Sequence, residues 1–160
     1  MEKALSSEVV WQAVEKELFA VLGMVTKRGQ ARTAGIVYVV SGRKLFIATD
    51  TDTWKTRHVK ANPHVSLTIP IAKRIPLLPW IKIPAATITF AGEARVLPSR
   101  EAPQNVLQAV FRGLVLDEDV LNRSSIIEVT PNGEFITYGV DMPLMQMRHP
   151  DQARGRAPVA

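Results

Sequence analysis

The chain has 160 residues, 46% of them apolar and 22% charged, the mixture of one globular domain large enough to bury a core without staples. It contains no cysteine, which excludes disulfides and thiolate metal sites. The formal charge of +5 is concentrated. Ten Lys or Arg fall between positions 27 and 74 against two acids, Asp50 and Asp52, so either an anionic partner or a solvated basic face is expected there.

Ser6 and Ser7 are candidate N-caps. Val10, Ala13, Val14 and Phe19 then recur at helical spacing, which predicts a helix over 7–17. Residues 18–26 form an apolar run without a polar helical face. A turn at 27–30 leads into a Val-, Ile- and Thr-rich strand over 31–40, and a second turn at 41–43 into a strand over 44–49. Asp50 to Thr53 break that strand and cap a short helix over 54–61, which Asn62 and Pro63 end.

A strand is expected over 64–71, then a proline-rich loop over 72–84 that carries Trp80. That tryptophan reads as a plug or subunit contact, or as a lid over a bound ring. A long strand follows over 85–97, with Gly92 marking a bulge or close approach. Pro98 opens a helix running to about 114, and 124–140 reads as two strand halves around Pro131, Asn132 and Gly133. Domain 1–140 is therefore followed by a basic tail over 141–160, expected to be flexible or ordered by a partner.

The count is six strands and three short helices. Consecutive antiparallel strands favour closure into a barrel, because closure removes exposed edges. The strand over 33–40 is apolar on both faces, which points to a second subunit covering the outside. The apolar stretch over 75–90 is broken by Pro76, Pro79, Lys82 and Pro84 and is too short to span a bilayer. A cytoplasmic protein without a membrane partner is expected. Aromatics are only 6% of the chain, too few to interleave with the basic block as a nucleic-acid surface would require. The three histidines match no metal spacing, and no Gly-rich nucleotide loop or nucleophile elbow is present.

The segment that carries chemistry is TDTDTWKTRHVKANP, residues 49–63. It gathers hydroxyls, a helix N-terminus, Lys55 and Arg57 within a few residues. Together these can hold a phosphate, although Thr53 can equally spend its hydroxyl on its own helix.

The ordered set Ala48-Thr49, Thr53-Trp54-Lys55, Asn62-Pro63 and Val65-Ser66-Leu67, after the two short hairpins, resembles the pyridoxamine 5′-phosphate oxidase-like, FMN-binding split-barrel family. The likeness runs from about residue 19 to 97, with a weaker echo at IIEVTPNGEFITYG. It implies a mainly β, six-stranded antiparallel split barrel working as a homodimer, with the cofactor at the subunit interface. It implies that Thr53 and Lys55 contact the cofactor phosphate, with the Trp54 N–H standing in for a frequent arginine and Arg57 adding charge. Ala48 and Thr49 would lie beside the flavin ring and its ribityl chain. Gly35, Ile36 and Val37 would run along the ring, and Thr87 would reach it from the dimer mate.

True pyridoxamine phosphate oxidases carry Arg where Ala34 stands and Lys where Val39 stands, so vitamin B6 oxidation is not expected. The resemblance implies an oxidoreductase for a small molecule using FMN or, as second choice, the deazaflavin coenzyme F-420. The alternative is a non-enzymatic flavin, deazaflavin or haem binder of the same fold.

Overall fold

The computed structural model describes residues 3–75, 77, 78, 80, 81 and 83–160, Lys3 by its backbone alone. Ser6 sits in extended backbone and its hydroxyl accepts the Val9 N–H, so α1 (Ser7–Lys16) starts on a capped turn. The helix buries Val10, Trp11 and Val14. Trp11 meets the ring of Phe135 edge-on at 5.3 Å, and Phe135 meets Phe90 in the same way at 5.3 Å. These three rings join the helix to the sheet.

The strands are β1 (Lys3–Ala4), β2 (Phe19–Val25), β3 (Ala31–Val37), β4 (Val39–Ser41), β5 (Lys44–Asp50), β6 (His64–Ile71), β7 (Ala86–Pro98), β8 (Ser124–Tyr138) and β9 (Arg154–Pro158). They form one curled sheet in the order β1-β9-β8-β7-β6-β2-β3, with β5 on β8 and β4 on β5. All pairings are antiparallel except β1 with β9. The remaining helices are α2 (Trp54–Ala61), α3 (Gln104–Val110), α4 (Glu118–Arg123) and α5 (Pro150–Ala153).

The mainly β, curled antiparallel architecture stands, but the expected count does not. Nine strands are present among the described residues, seven of them five residues or longer, with five α-helices. Three local causes account for the difference. The strand expected over 31–40 breaks at Tyr38, whose ring turns inward so that its hydroxyl donates to the Val14 carbonyl at 2.7 Å. Burial, with the Glu17 charge as a smaller cause, raises the Tyr38 hydroxyl above its ordinary pKa. Asp117 caps α4 through the Val120 N–H at 2.8 Å, and Gly113, at φ 83, separates that helix from α3.

The third lies in the tail, where 154–158 alternates buried Gly155 and Ala157 with exposed Arg154, Arg156 and Pro158, and so fits between β8 and β1 as a strand. The sheet thus extends well past residue 140.

At Gly92 the expected close approach is present. A β-carbon there would lie 2.8 Å from the Thr130 carbonyl oxygen, while the register shift of β7 against β8 falls instead between Thr89 and Ala91.

The core lies inside the curl, where Leu22, Leu45, Ile47, Leu67, Ile69, Ile88, Ile127 and Val129 converge. The opposite face of β5 and β8 presents Phe46 and Ile126 to Val106 and Leu107 of α3. Those two strands are apolar on both faces because a helix of the same chain covers them. The outer side of β3 has no such cover: Val37 is 65% exposed.

Glu128 lies on the outer face of β8, 6% exposed, and accepts from Arg95 Nε at 2.8 Å and Nη2 at 3.1 Å, and from Lys44 Nζ at 3.1 Å. Burial pushes its carboxyl up, but the bonds from Arg95 and Lys44 outweigh it and hold the pKa below the ordinary 4.5. The unfolded chain therefore binds this proton more readily. The group's contribution is fully present above the unfolded value and is lost as pH falls through the folded one. Glu128→Gln is expected to flatten the acid side of a stability-versus-pH curve, measured by urea melts below pH 5.

Candidate functional site

The turn from β5 into α2 is held by its own hydroxyls. Thr53 Oγ1 accepts the Thr56 N–H at 3.3 Å, and Thr56 Oγ1 accepts the Thr53 N–H at 3.1 Å, a reciprocal capping box. Thr56 also reaches the Thr51 carbonyl at 3.1 Å, and Thr49 Oγ1 lies 3.4 Å from Thr53 Oγ1. The first helical N–H groups, those of Trp54 and Lys55, have no acceptor within the helix.

This cap aims α2 so that the half-buried Lys55 enters a cleft of about 520 Å³, within the range of small-molecule sites. One wall is the edge backbone of β3 and β4, from Gly35 to Val39, with Leu18 beside it. The other wall is Ile47 and Ala48 of β5. Ala109, Val110 and Arg112, from α3 and its C-terminal end, close the side.

The cleft exists because the curl does not close. β3 pairs only with β2, and β4 covers β5 only over 44–46, so the open edge of β3 and that of β5 over 47–50 have no ladder between them. Edge strands present alternate N–H and C=O groups outward, which gives this slot a polar seam in an apolar lining. A side chain at Gly35 would crowd the Phe19 ring, with the β-carbon 3.0 Å away, so the wall stays bare there.

Two cations, Lys55 and Arg112, line the cleft, and no described carboxylate does. Neither makes an ion pair among the described residues; Lys55 Nζ only lies 5.7 Å from the centre of the Trp54 ring. Most guanidinium groups outside the cleft that meet an acid are spent on it, as Arg43 is on Glu8 and Arg100 on Glu118. An apolar slot with unpaired positive charge suits a flat, mainly apolar ligand bearing an anionic group.

Of the residues singled out in the sequence, Gly35, Ile36, Val37, Ala48 and Lys55 come together in the cleft. Thr49 and Thr53 are not among its lining residues, and their hydroxyls meet each other at the cap. Trp54 is exposed beside His58, and Arg57 leans away onto Asp52 at 3.6 Å. Thr87 pairs with Pro70 and Tyr138, and β6 and β2 separate its strand from β3, so it does not join the cleft of its own chain. Arg112, Val39, Tyr38 and the α3 wall were not anticipated as site residues. Nothing local marks an arginine just past a short apolar helix, and only the three-dimensional packing of α3 on β5 carries it there.

The family model described as pyridoxamine 5′-phosphate oxidase matches residues 7–137. The chain belongs to the pyridoxamine 5′-phosphate oxidase family. No curated protein matches the sequence at a significant level.

Solved structures with the same split-barrel fold include an F-420 reductase, at 21% identity and TM-score 0.53, over 78% of this chain and 94% of that one. The general stress protein 26 of Bacillus anthracis str. Sterne is similar at 18% identity and TM-score 0.56, over 86% and 95%. A heme binding protein from Mycobacterium smegmatis is similar at 14% identity and TM-score 0.64, over 99% of this chain and 60% of that one. These likenesses establish the fold. Val39, where the resemblance implies a substrate-binding lysine in true pyridoxamine phosphate oxidases, is an apolar residue of the cleft lining.

Proposed function

We propose that the cleft holds FMN and that the protein is a flavin-dependent oxidoreductase acting on a small molecule, as a dimer. The observation that carries this reading is the pairing of an apolar slot along the β3 edge with two unpaired cations and no described carboxylate. Lys55 and the first N–H groups of α2 would take the phosphate, and Gly35, Ile36 and Val37 would lie along the ring, with Ala48 leaving room opposite them. A bound flavin supplies hydride or electron transfer.

The chain itself binds, orients and shields. Tyr38 is locked to the Val14 carbonyl with its hydroxyl proton held, so it fixes the wall and is assigned no proton transfer. The exposed apolar side chains Leu18, Phe19 and Val37 favour a second copy over the β2–β3 face, and such a copy is the only way Thr87 could reach a cleft. No described helix is long and apolar enough to cross a membrane.

The deazaflavin coenzyme F-420 is the second reading, supported by the fold shared with an F-420 reductase and by the two cations, Lys55 and Arg112, that line the cleft. Haem fits less well, because no lining side chain is His, Met or Cys and the lining Tyr38 turns its hydroxyl away onto the Val14 carbonyl. Protein incubated with FMN or with F-420 and then gel-filtered is expected to retain a flavin-type absorbance at about one ligand per chain, with FMN the better retained. Turnover of the loaded protein with an electron acceptor separates an enzyme from a store. A protein that keeps neither ligand would refute the reading.

A further inference from the structure

We infer that the loop between β6 and β7 docks the protein on an anionic lipid surface. Ile71 and Ala86 are paired, so the described residues between them hang from one end of the β6–β7 hairpin. Two consecutive turns, Leu78 N–H to the Ile75 carbonyl and Ile81 N–H to the Leu78 carbonyl, both at 3.1 Å, organise its tip. The tip presents Leu77 at 87% exposure and Trp80 at 73%, with Leu78 and Ile81 also exposed.

Four large apolar side chains grouped on one exposed loop do not serve the core. None of the described loop residues lines the cleft, so the loop is not a lid over its own chain's site. An exposed apolar patch of this kind marks contact with another surface.

The charge around it selects which surface. Over 72–85 the sequence holds three Lys or Arg and no Asp or Glu. Lys73 and Arg74 precede the apolar tip directly, and neither meets an acid among the described residues. The acids Glu17 and Asp141, with Lys16, stand at the foot of the loop beside Ile71, not at its tip.

Tryptophan and leucine at the headgroup level, with cations beside them, are the components of interfacial membrane binding. Neither a span nor a helix is needed for that. A partner protein would give the apolar tip a pocket, but nothing would then favour the cationic collar specifically. The expectation of no membrane partner was drawn from the missing span, and a surface contact is a different thing.

The test uses the full chain with vesicles of phosphatidylcholine alone and of equal parts phosphatidylcholine and phosphatidylserine, read by co-sedimentation and tryptophan fluorescence. The mixed vesicles are expected to carry the protein down with a blue-shifted emission, the neutral ones to bind far less, and added salt to release it. The double variant Leu77→Ser with Trp80→Ser should lose about tenfold in partitioning. Lys73→Gln and Arg74→Gln should lose about fivefold each.

Thermal melts should not move, since all four side chains stand outside the core. Equal failure on both vesicle types overturns the inference, as does undiminished binding by the Leu77/Trp80 variant. So does a variant whose only change is lost self-association on gel filtration, which assigns the loop to a second copy.

Discussion

Replacing Lys55 with alanine is expected to weaken FMN binding roughly ten- to a hundredfold, the effect of losing a charge-assisted phosphate contact of about 1.5–3 kcal/mol. Lys55 is half-buried in the cleft wall, and no carboxylate there competes for it. Riboflavin, which lacks the phosphate, serves as the internal control: its affinity should hardly change, so the gap between the two ligands closes in the variant. Arg57→Ala should leave both affinities alone, because Arg57 is turned onto Asp52 outside the cleft. Arg112→Ala should cost less than Lys55→Ala, since Arg112 is exposed and its charge is screened. Titration of flavin fluorescence against protein reads all of these. Equal FMN affinity for wild type and the Lys55 variant would remove the phosphate from this end of the cleft.

Phe135→Ala is expected to destabilise the fold by about 3–5 kcal/mol, with a fall in Tm of about 10 °C or more. The side chain is fully buried, with Trp11 against one side and Phe90 against another. Truncation would empty the centre of the aromatic group that fastens α1 to the sheet, and both neighbours would lose their edge-to-face contact together. Phe135→Leu, which keeps most of the volume, should cost far less. A urea melt followed by far-UV circular dichroism gives the difference directly. A loss below about 1 kcal/mol would mean that the site collapses freely and the three rings do not act as a unit.

The parts of the molecule legible in the sequence are those governed by short-range rules. The Ser6 cap, the apolar spacing of Val10 and Val14, and the Asn62-Pro63 stop place α1 and α2 almost to the residue. Alternation and turn residues place the strands of the sheet. The cleft is half legible: Lys55, Ala48 and the 35–37 strand are within one local block and its paired hairpin. Arg112 and the α3 wall enter from more than fifty positions downstream, through packing of Leu107 and Val106 on Phe46, and no local rule reports that.

The Thr53 hydroxyl accepts from the helix it starts, one of the two uses its position allows. Near the C-terminus, Gly155 and Ala157 between the arginines are small enough to bury, and that alternation is the strand signal.

The pairing of β5 with β8 has a consequence for how the chain reaches this state. Lys44 and Glu128 are 84 positions apart, and bringing such distant segments together costs about 4 kcal/mol of chain entropy beyond a constant. The β2–β3 hairpin, by contrast, closes over one tight turn. Each wall of the slot thus has a local partner, through β2–β3 and β4–β5, while the β8 strand that holds β5 in the sheet arrives from the far end of the polypeptide. A small molecule held between the two walls would recognise only chains that have completed this last long-range join, so its retention would count finished molecules and pass over those arrested on the way.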